Sequence, residues 1–161
     1  MNLISIKPGL VNCGTGIAVF QDGDLICTYC IKPKEGQDKL TQTIDLLMGV
    51  VKGVEDPVVV IEDTLISYKY FLGAVLYWIP DLKYLRALSI NYYITGNQSA
   101  SSKTIKEYVL RYVGNDVNFE HIANTDVLDA IAVGMAYMQK DREAKCDGSK
   151  GVKIEVNDES R

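Results

Sequence analysis

The first third of the chain alternates apolar and polar residues with the period of β-strands. Residues 2–7 (NLISIK) alternate, residues 15–20 (TGIAVF) are rich in strand formers, and residues 24–31 (DLICTYCI) follow an Asp22-Gly23 pair. An Asp-Gly pair between two strand patterns is a strong signal of a two-residue hairpin turn. The pattern therefore predicts a three-stranded meander.

Downstream of the meander, helical spacing alternates with two further strand patterns. Residues 39–52 repeat apolar side chains every three to four positions, which predicts a helix. The run VVVIED after Pro57 is apolar on consecutive positions, as expected of a strand buried on both faces in a parallel part of the sheet. A second helix is predicted from about Ser67 to Trp78, and KYLRAL over residues 83–88 predicts a fifth strand.

The remaining residues predict helices and a charged tail. A short segment, SINYYITG, precedes SSKTIKEYVLRYVG, with Ser101 or Ser102 as N-cap, and then NTDVLDAIAVGMAYMQ. Residues 141–161 mix charges with glycine and lack periodicity, which predicts a flexible tail. We expect one α/β domain over residues 1–140, built on a five-stranded mixed sheet flanked by helices.

The composition is that of an ordinary globular protein, with 47% hydrophobic and 24% charged residues. Charges or glycine interrupt every apolar stretch before it could span a bilayer, and MNLISIKPG lacks the pattern of a secretory signal. We therefore expect a cytoplasmic protein without a membrane partner. The net charge of −4 argues against a protein that coats nucleic acid non-specifically, because such binding needs a cationic surface.

The four cysteines show no second pair at metal-binding spacing. Cys27 and Cys30 lie in a predicted strand, where residues three apart point to opposite faces. We therefore expect free thiols.

Candidate chemistry lies at three places that the predicted fold brings together. Lys7 ends the first strand, Glu62 ends the buried strand, and Asp126 and Asp129 begin the final helix. Functional groups gather at the carboxyl ends of strands, and acids three apart share one helix face. Three such carboxylates are suitable ligands for two magnesium ions that activate water for phosphodiester hydrolysis. Taken separately, the helix acids also suit a helix start, and the Glu62-Asp63 pair also suits a solvated strand end.

Four segments together resemble one protein family. LISIKPGLVNCGTGIAVF resembles the opening strand and hairpin of RuvC-type Holliday-junction resolvases, and VVVIED resembles their second acidic motif. TDVLDAIAVGMAYM is similar to their closing helix, and ITGNQSASSKTIKEYV is similar to their Gly-rich segment and the Lys-containing helix that faces the DNA backbone. The resemblance covers roughly residues 1–140, and each motif alone is short.

The resemblance implies a ribonuclease-H-like fold and a homodimeric endonuclease of DNA recombination and repair. Such an enzyme resolves four-way and otherwise branched DNA by metal-activated hydrolysis, with Mg²⁺ as cofactor, Mn²⁺ as a substitute and no nucleotide cofactor. Glu62, Asp126 and Asp129 would be the catalytic residues and metal ligands. The compact chain also suits a phage protein.

Lys7 departs from the family pattern, because it stands where the family has the aspartate that both metals share. An ammonium group cannot coordinate magnesium. Three explanations are open: an engineered inactivating substitution, a natural loss of cleavage with junction binding retained, or an ammonium that replaces the charge of one metal.

Candidate DNA contacts follow the same resemblance. Lys103, Lys106 and Arg111 on the predicted helix can contact phosphates, and Tyr68 and Tyr70 can stack on unpaired bases. Each of them also suits an ordinary solvated or packed side chain.

Two other classes of function are open besides an endonuclease. A non-catalytic protein of the same fold would bind branched DNA without hydrolysis. An actin-like or sugar-kinase-like phosphotransferase shares the early strands, but it needs a second phosphate loop and a second domain, for which 161 residues leave no room.

Overall fold

The computed structural model describes residues 1–9, 14–32, 39–63, 69–114 and 124–148, without the side chains of residues 39, 69, 70, 147 and 148. These residues form five strands and five helices. In chain order they are β1 (Asn2–Lys7), β2 (Thr15–Gln21), β3 (Asp24–Ile31), α1 (Lys39–Lys52), β4 (Val58–Asp63), α2 (Lys69–Trp78), β5 (Lys83–Arg86), α3 (Ala87–Thr95), α4 (Ser102–Val113) and α5 (Thr125–Gly148).

The five strands form one mixed sheet in the order β3-β2-β1-β4-β5. The first three strands pair antiparallel, whereas β4 pairs parallel with both β1 and β5. The predicted five-stranded mixed sheet is therefore confirmed. Its central strand, β1, is buried along most of its length, as its apolar sequence requires.

The predicted hairpin turn between β2 and β3 is present. Asp22 and Gly23 both have positive φ values, 53° and 101°, as a type I′ turn demands of its two central residues. The Met1 amino group pairs with the Asp22 carboxylate at 2.5 Å.

Helices cover both faces of the sheet. On one face, Ile4, Ile6 and Ile61 pack with α1 and α2. On the other face, Leu3 and Val60 pack with α3, α4 and α5. The two faces alternate along each strand, so neighbouring residues of β1 belong to different cores.

The cysteines follow the same alternation. Cys27 packs against the α1 and α2 layer, whereas Cys30 packs against the layer of α5. Cys27 and Cys30 are free thiols, as predicted, Cys146 is in no disulfide, and Cys13 lies outside the described residues.

The helix α5 approaches β1 and β2 closely because small residues leave room for its backbone. A Cβ atom on Gly16 of β2 would overlap the Asp126 carbonyl group and lie 2.8 Å from the Val127 nitrogen. A Cβ atom on Gly134 would overlap the Phe20 ring. The buried Ser5 hydroxyl donates a hydrogen bond of 2.7 Å to the Ala130 carbonyl. These contacts fix the start of α5 over the central strands.

Two element boundaries differ from the sequence predictions, whereas the N-cap of α4 is one of the two predicted serines. The strand β5 ends at Arg86, and α3 begins at the next residue. Ser101 is the N-cap of α4, and its hydroxyl accepts a hydrogen bond from the Thr104 amide. The helix α5 continues to residue 148, beyond the expected start of the tail at residue 141.

The extension of α5 has a local cause that apolar periodicity does not reveal. Gln139 donates to Glu143 at 2.9 Å, and Lys145 pairs with Asp141 at 2.5 Å. Both pairs have the spacing of four residues that stabilises an exposed helix. No helix among the described residues is both long and apolar enough to cross a membrane.

Replacement of Gly16 by alanine should destabilise the protein by about 1–3 kcal/mol, because its Cβ would force the first turn of α5 away from β2. Gly49→Ala is the matched control, since nothing lies within 4 Å of its Cβ and alanine favours a helix interior by about 0.5–1 kcal/mol. Urea unfolding measures both. Equal stability of the two variants would contradict the close packing of α5 on β2.

Candidate functional site

The parallel pairing of β1 and β4 places Lys7 beside Glu62. Ile6 and Ile61 are partners in the register, and Lys7 and Glu62 are the next residues along the two strands. Because side chains alternate between the faces, both polar side chains point away from the α1 and α2 layer and towards α5. The Lys7 ammonium donates to the Glu62 carboxylate, and the two side chains are only 21% and 10% exposed.

Asp129 reaches the same place from α5. It is one residue before Ala130, whose carbonyl is held by Ser5 on β1. Asp129, Lys7 and Glu62 all line a cleft of about 180 Å³. The other residues that line the cleft come from α3, α4, the turn between them and α5, and include Ile90, Asn91, Ala100, Ser102, Ile105, Ala132 and Val133.

The electrostatics of the cleft disfavour a charged Asp129. Burial raises the pKa of this carboxyl group above its usual value of 3.8, and the negative charges of Glu62 and Asp126 raise it further. The positive charges of Lys7 and Lys106 act in the opposite direction. The Glu62 carboxylate of β4 and the Asp126 carboxylate of α5 therefore both act on Asp129.

Asp126 lies at the margin of this arrangement. It acts electrostatically on Asp129, but it does not line the cleft. Its amide donates a hydrogen bond of 2.8 Å to the Asn124 side chain, which caps the start of α5. Asn124, and not an aspartate, is therefore the side-chain cap. Asp63, at the end of β4, is exposed. Burial raises the pKa of Tyr84, and the negative charge of Asp63 raises it further.

The side chains in the cleft do not fit a magnesium site while Lys7 is present. Carboxylate oxygens are suitable donors, but the Glu62 carboxylate is held by an ammonium group that has no lone pair to offer a metal. Over the described parts of the chain, no three or more His, Cys, Asp or Glu side chains group in a way that could hold a metal ion.

Of the predicted DNA contacts, Lys106 lies beside the cleft. Its ammonium donates to the Thr125 hydroxyl at 3.3 Å, across the gap between α4 and α5. Lys103 is exposed one turn earlier on α4. Arg111 stands over the Tyr108 ring at 5.7 Å and lies about 140° around the helix from Lys106. Tyr68 and the Tyr70 side chain lie outside the described residues.

Three polar residues that position the cleft were not predicted from the sequence. Ser5 anchors α5, Asn124 caps it, and the Asn91 amide group donates to the carbonyls of Gln98 and Ala100 at 3.0 and 3.3 Å. Two of them carried a signal in the sequence. Ser5 is a small polar residue within an apolar strand, and Asn124 is an asparagine just before a helix.

Comparison with known proteins finds similar solved structures but no matching sequence family. No protein-family model matches the chain, and no curated protein matches it. RuvC of Thermus thermophilus superimposes with a TM-score of 0.74 and 16% identity, covering 89% of this chain and 97% of that chain. T. thermophilus RuvC in complex with Holliday junction substrate gives the same TM-score and identity, covering 89% of this chain and 96% of that chain.

A viral structure is also similar. The fowlpox virus Holliday junction resolvase superimposes with a TM-score of 0.50 and 12% identity, covering 87% of this chain and 99% of that chain. None of these structures comes from a phage, and the phage origin stays a prediction. At identities this low the likeness is one of fold: the chain has the ribonuclease-H-like fold of the RuvC-type resolvases.

Proposed function

We propose that this chain binds four-way and otherwise branched DNA, and that the cleft of Lys7, Glu62 and Asp129 occupies the place of a phosphodiester-cleaving site. The observation that carries this proposal is the convergence of these three side chains at the carboxyl ends of β1 and β4, within a RuvC-type fold. The similar T. thermophilus RuvC in complex with Holliday junction substrate supports branched DNA as the ligand.

Structure-selective endonuclease activity is the function of this cleft when position 7 carries an acid. Magnesium would then supply a Lewis acid and an activated water, and a carboxylate at position 7 would join Glu62 and Asp129. With Lys7 present the donor set does not form such a site. We therefore propose that the chain as it stands binds junctions and cleaves them poorly or not at all.

The basic residues of α4 support DNA binding next to the cleft. Lys106 lies beside the cleft and Lys103 lies one helical turn away on the exposed surface. The overall charge of −4 makes binding to any duplex unfavourable, so shape-selective binding depends on such local contacts. Glu62, Asp126 and Asp129 stay the proposed catalytic acids, with Tyr68, Tyr70 and Arg111 as further proposed contacts.

A homodimer is part of the proposal, because a two-fold dimer matches the symmetry of a junction. The end of α2 and the edge strand β5 expose large apolar side chains, with Tyr77 at 80% and Trp78 at 57% exposure. Leu76 and Tyr84 are exposed on the same two elements. Apolar side chains exposed together in this way are typical of a protein interface.

Lys7→Asp should convert the chain into a magnesium-dependent nuclease, because the substitution restores an acid beside Glu62. With a synthetic four-way junction in magnesium, we expect it to nick at least about 100-fold faster than the unchanged chain. Both proteins should shift the junction in a gel in EDTA.

Lys7→Met is the control, since it removes the ammonium without adding an acid, and it should not cut. Failure of the unchanged chain and of Lys7→Asp to bind branched DNA would end the proposal. Equal cleavage by both would show that Lys7 does not impair the cleft.

Lys106→Gln should weaken junction binding and lower the slope of log Kd against log salt by about 1, because one phosphate contact is lost. Arg111→Gln should change the slope less, since Arg111 lies on another side of α4 and contacts Tyr108. Fluorescence anisotropy over a salt series measures both slopes. A larger effect at Arg111 would place the DNA on a different face.

Asp129→Asn should raise the free energy of unfolding at neutral pH. The pKa of Asp129 is raised in the folded state above its usual value of 3.8. Ionisation of Asp129 therefore lowers the free energy of unfolding as the pH rises from about 3.8 through the folded-state pKa. The gain of the variant should therefore shrink as the pH falls towards 3.8.

Unfolding curves of both proteins across acid to neutral pH test this expectation for Asp129. Asp45→Asn on the exposed surface of α1 is the control, and it should change the stability little at any pH. A variant less stable than the unchanged chain at pH 7 would mean that the charged form of Asp129 is favoured.

A further inference from the structure

We propose, independently of DNA binding, that the Lys7 ammonium is a built-in cation of the cleft: it neutralises the converging carboxylates in place of a bound divalent metal. The protein would then fold and hold Glu62 and Asp129 together without any metal ion. This role belongs to Lys7 itself and does not require that the protein cleave or bind a nucleic acid.

The first support is the position of the ion pair. Lys7 and Glu62 are adjacent through the parallel register, and both side chains are largely removed from water. A carboxylate taken out of water is costly unless an opposite charge and hydrogen bonds compensate it. The Lys7 ammonium supplies both to Glu62.

The second support is the balance of charge around the cleft. The carboxylates of Glu62 and Asp126 act electrostatically on Asp129, and the cations Lys7 and Lys106 act on it in the opposite direction. Lys7 is the one that lines the cleft with Glu62 and Asp129, whereas Lys106 is engaged with Thr125 at the margin. Without Lys7, the described residues that line the cleft would include two acids, Glu62 and Asp129, and no cation.

The third support is the absence of a metal-binding arrangement. Among the residues that the structure describes, no three potential ligands come together. A divalent cation entering between Glu62 and Asp129 would meet the ammonium, and like charges at short range repel strongly where water is scarce. Metal and Lys7 are therefore alternatives at this place.

Thermal unfolding of the full chain, without DNA, tests whether the Lys7 ammonium takes the place of a bound metal ion. In EDTA and in magnesium chloride at matched ionic strength, the unchanged chain should have the same Tm. Lys7→Asp should have a Tm several degrees lower in EDTA and should recover much of the loss in magnesium, because a ligand that binds only the folded state stabilises it. Lys7→Met should lose stability in EDTA and recover less.

Calorimetric titration with manganese chloride gives a second measurement. The unchanged chain should bind no manganese at this site, whereas Lys7→Asp should bind it and lose that binding when Glu62→Gln is added. If Lys7→Asp does not fold, the pair Lys7→Met and Lys7→Met/Glu62→Gln serves instead. Removing the second charge should then restore part of the stability that the first substitution lost.

Three results would overturn the proposal. One is a Tm of the unchanged chain that rises with magnesium as much as that of Lys7→Asp. Another is a Lys7→Met variant as stable in EDTA as the unchanged chain. The third is a double variant no more stable than Lys7→Met. All are read without DNA, so they are separate from any failure of junction binding.

Discussion

The close contact of α5 with the two central antiparallel strands is the constraint on which the rest of this structure depends. Gly16 and Gly134 lack the side-chain atoms that would keep the helix away, and Ser5 ties its second turn to β1. The hydrogen bond is buried, so it replaces a solvated hydroxyl and carbonyl with a fixed pair. Because Asp129 precedes the anchored Ala130, the position of the acid follows from the packing of the helix.

A second constraint is electrostatic and acts within the space that this packing creates. The parallel strands β1 and β4 place Lys7 and Glu62, which have opposite charges, side by side. The helix α5 adds Asp129 to the same cleft. Burial makes each charge depend on the others, because a buried charge without a partner costs stability. The side chain at position 7 therefore decides which ions the cleft accepts.

Much of the fold could be predicted because its signals are local. The Asp22-Gly23 turn, the continuous apolar run of β4 and the serine before α4 each specify their own structure. The convergence of Lys7, Glu62 and the start of α5 could also be predicted, since the carboxyl ends of adjacent parallel strands meet at one edge of the sheet. The extension of α5 was missed because polar pairs at a spacing of four residues leave no apolar periodicity.

The details of the cleft required three dimensions. The Asn91 side chain holds the backbone carbonyls of Gln98 and Ala100 in the turn after α3, and nothing in the sequence identifies these partners. The different roles of Asp126 and Asp129 also depend on how α5 is rotated against the sheet. Spacing places the two acids on one helix face, but only the packing decides which of them enters the cleft.

The alternation along β1 separates what the strand does for folding from what it does for chemistry. Ile6 is buried in the layer of α1 and α2, while the next residue, Lys7, faces the opposite layer at the rim of the sheet. The sheet therefore separates the charge at position 7 from the apolar layer of α1 and α2. Such a scaffold lends itself to redesign, since the residue at one strand end can be varied while the opposite face of the same strand keeps its packing.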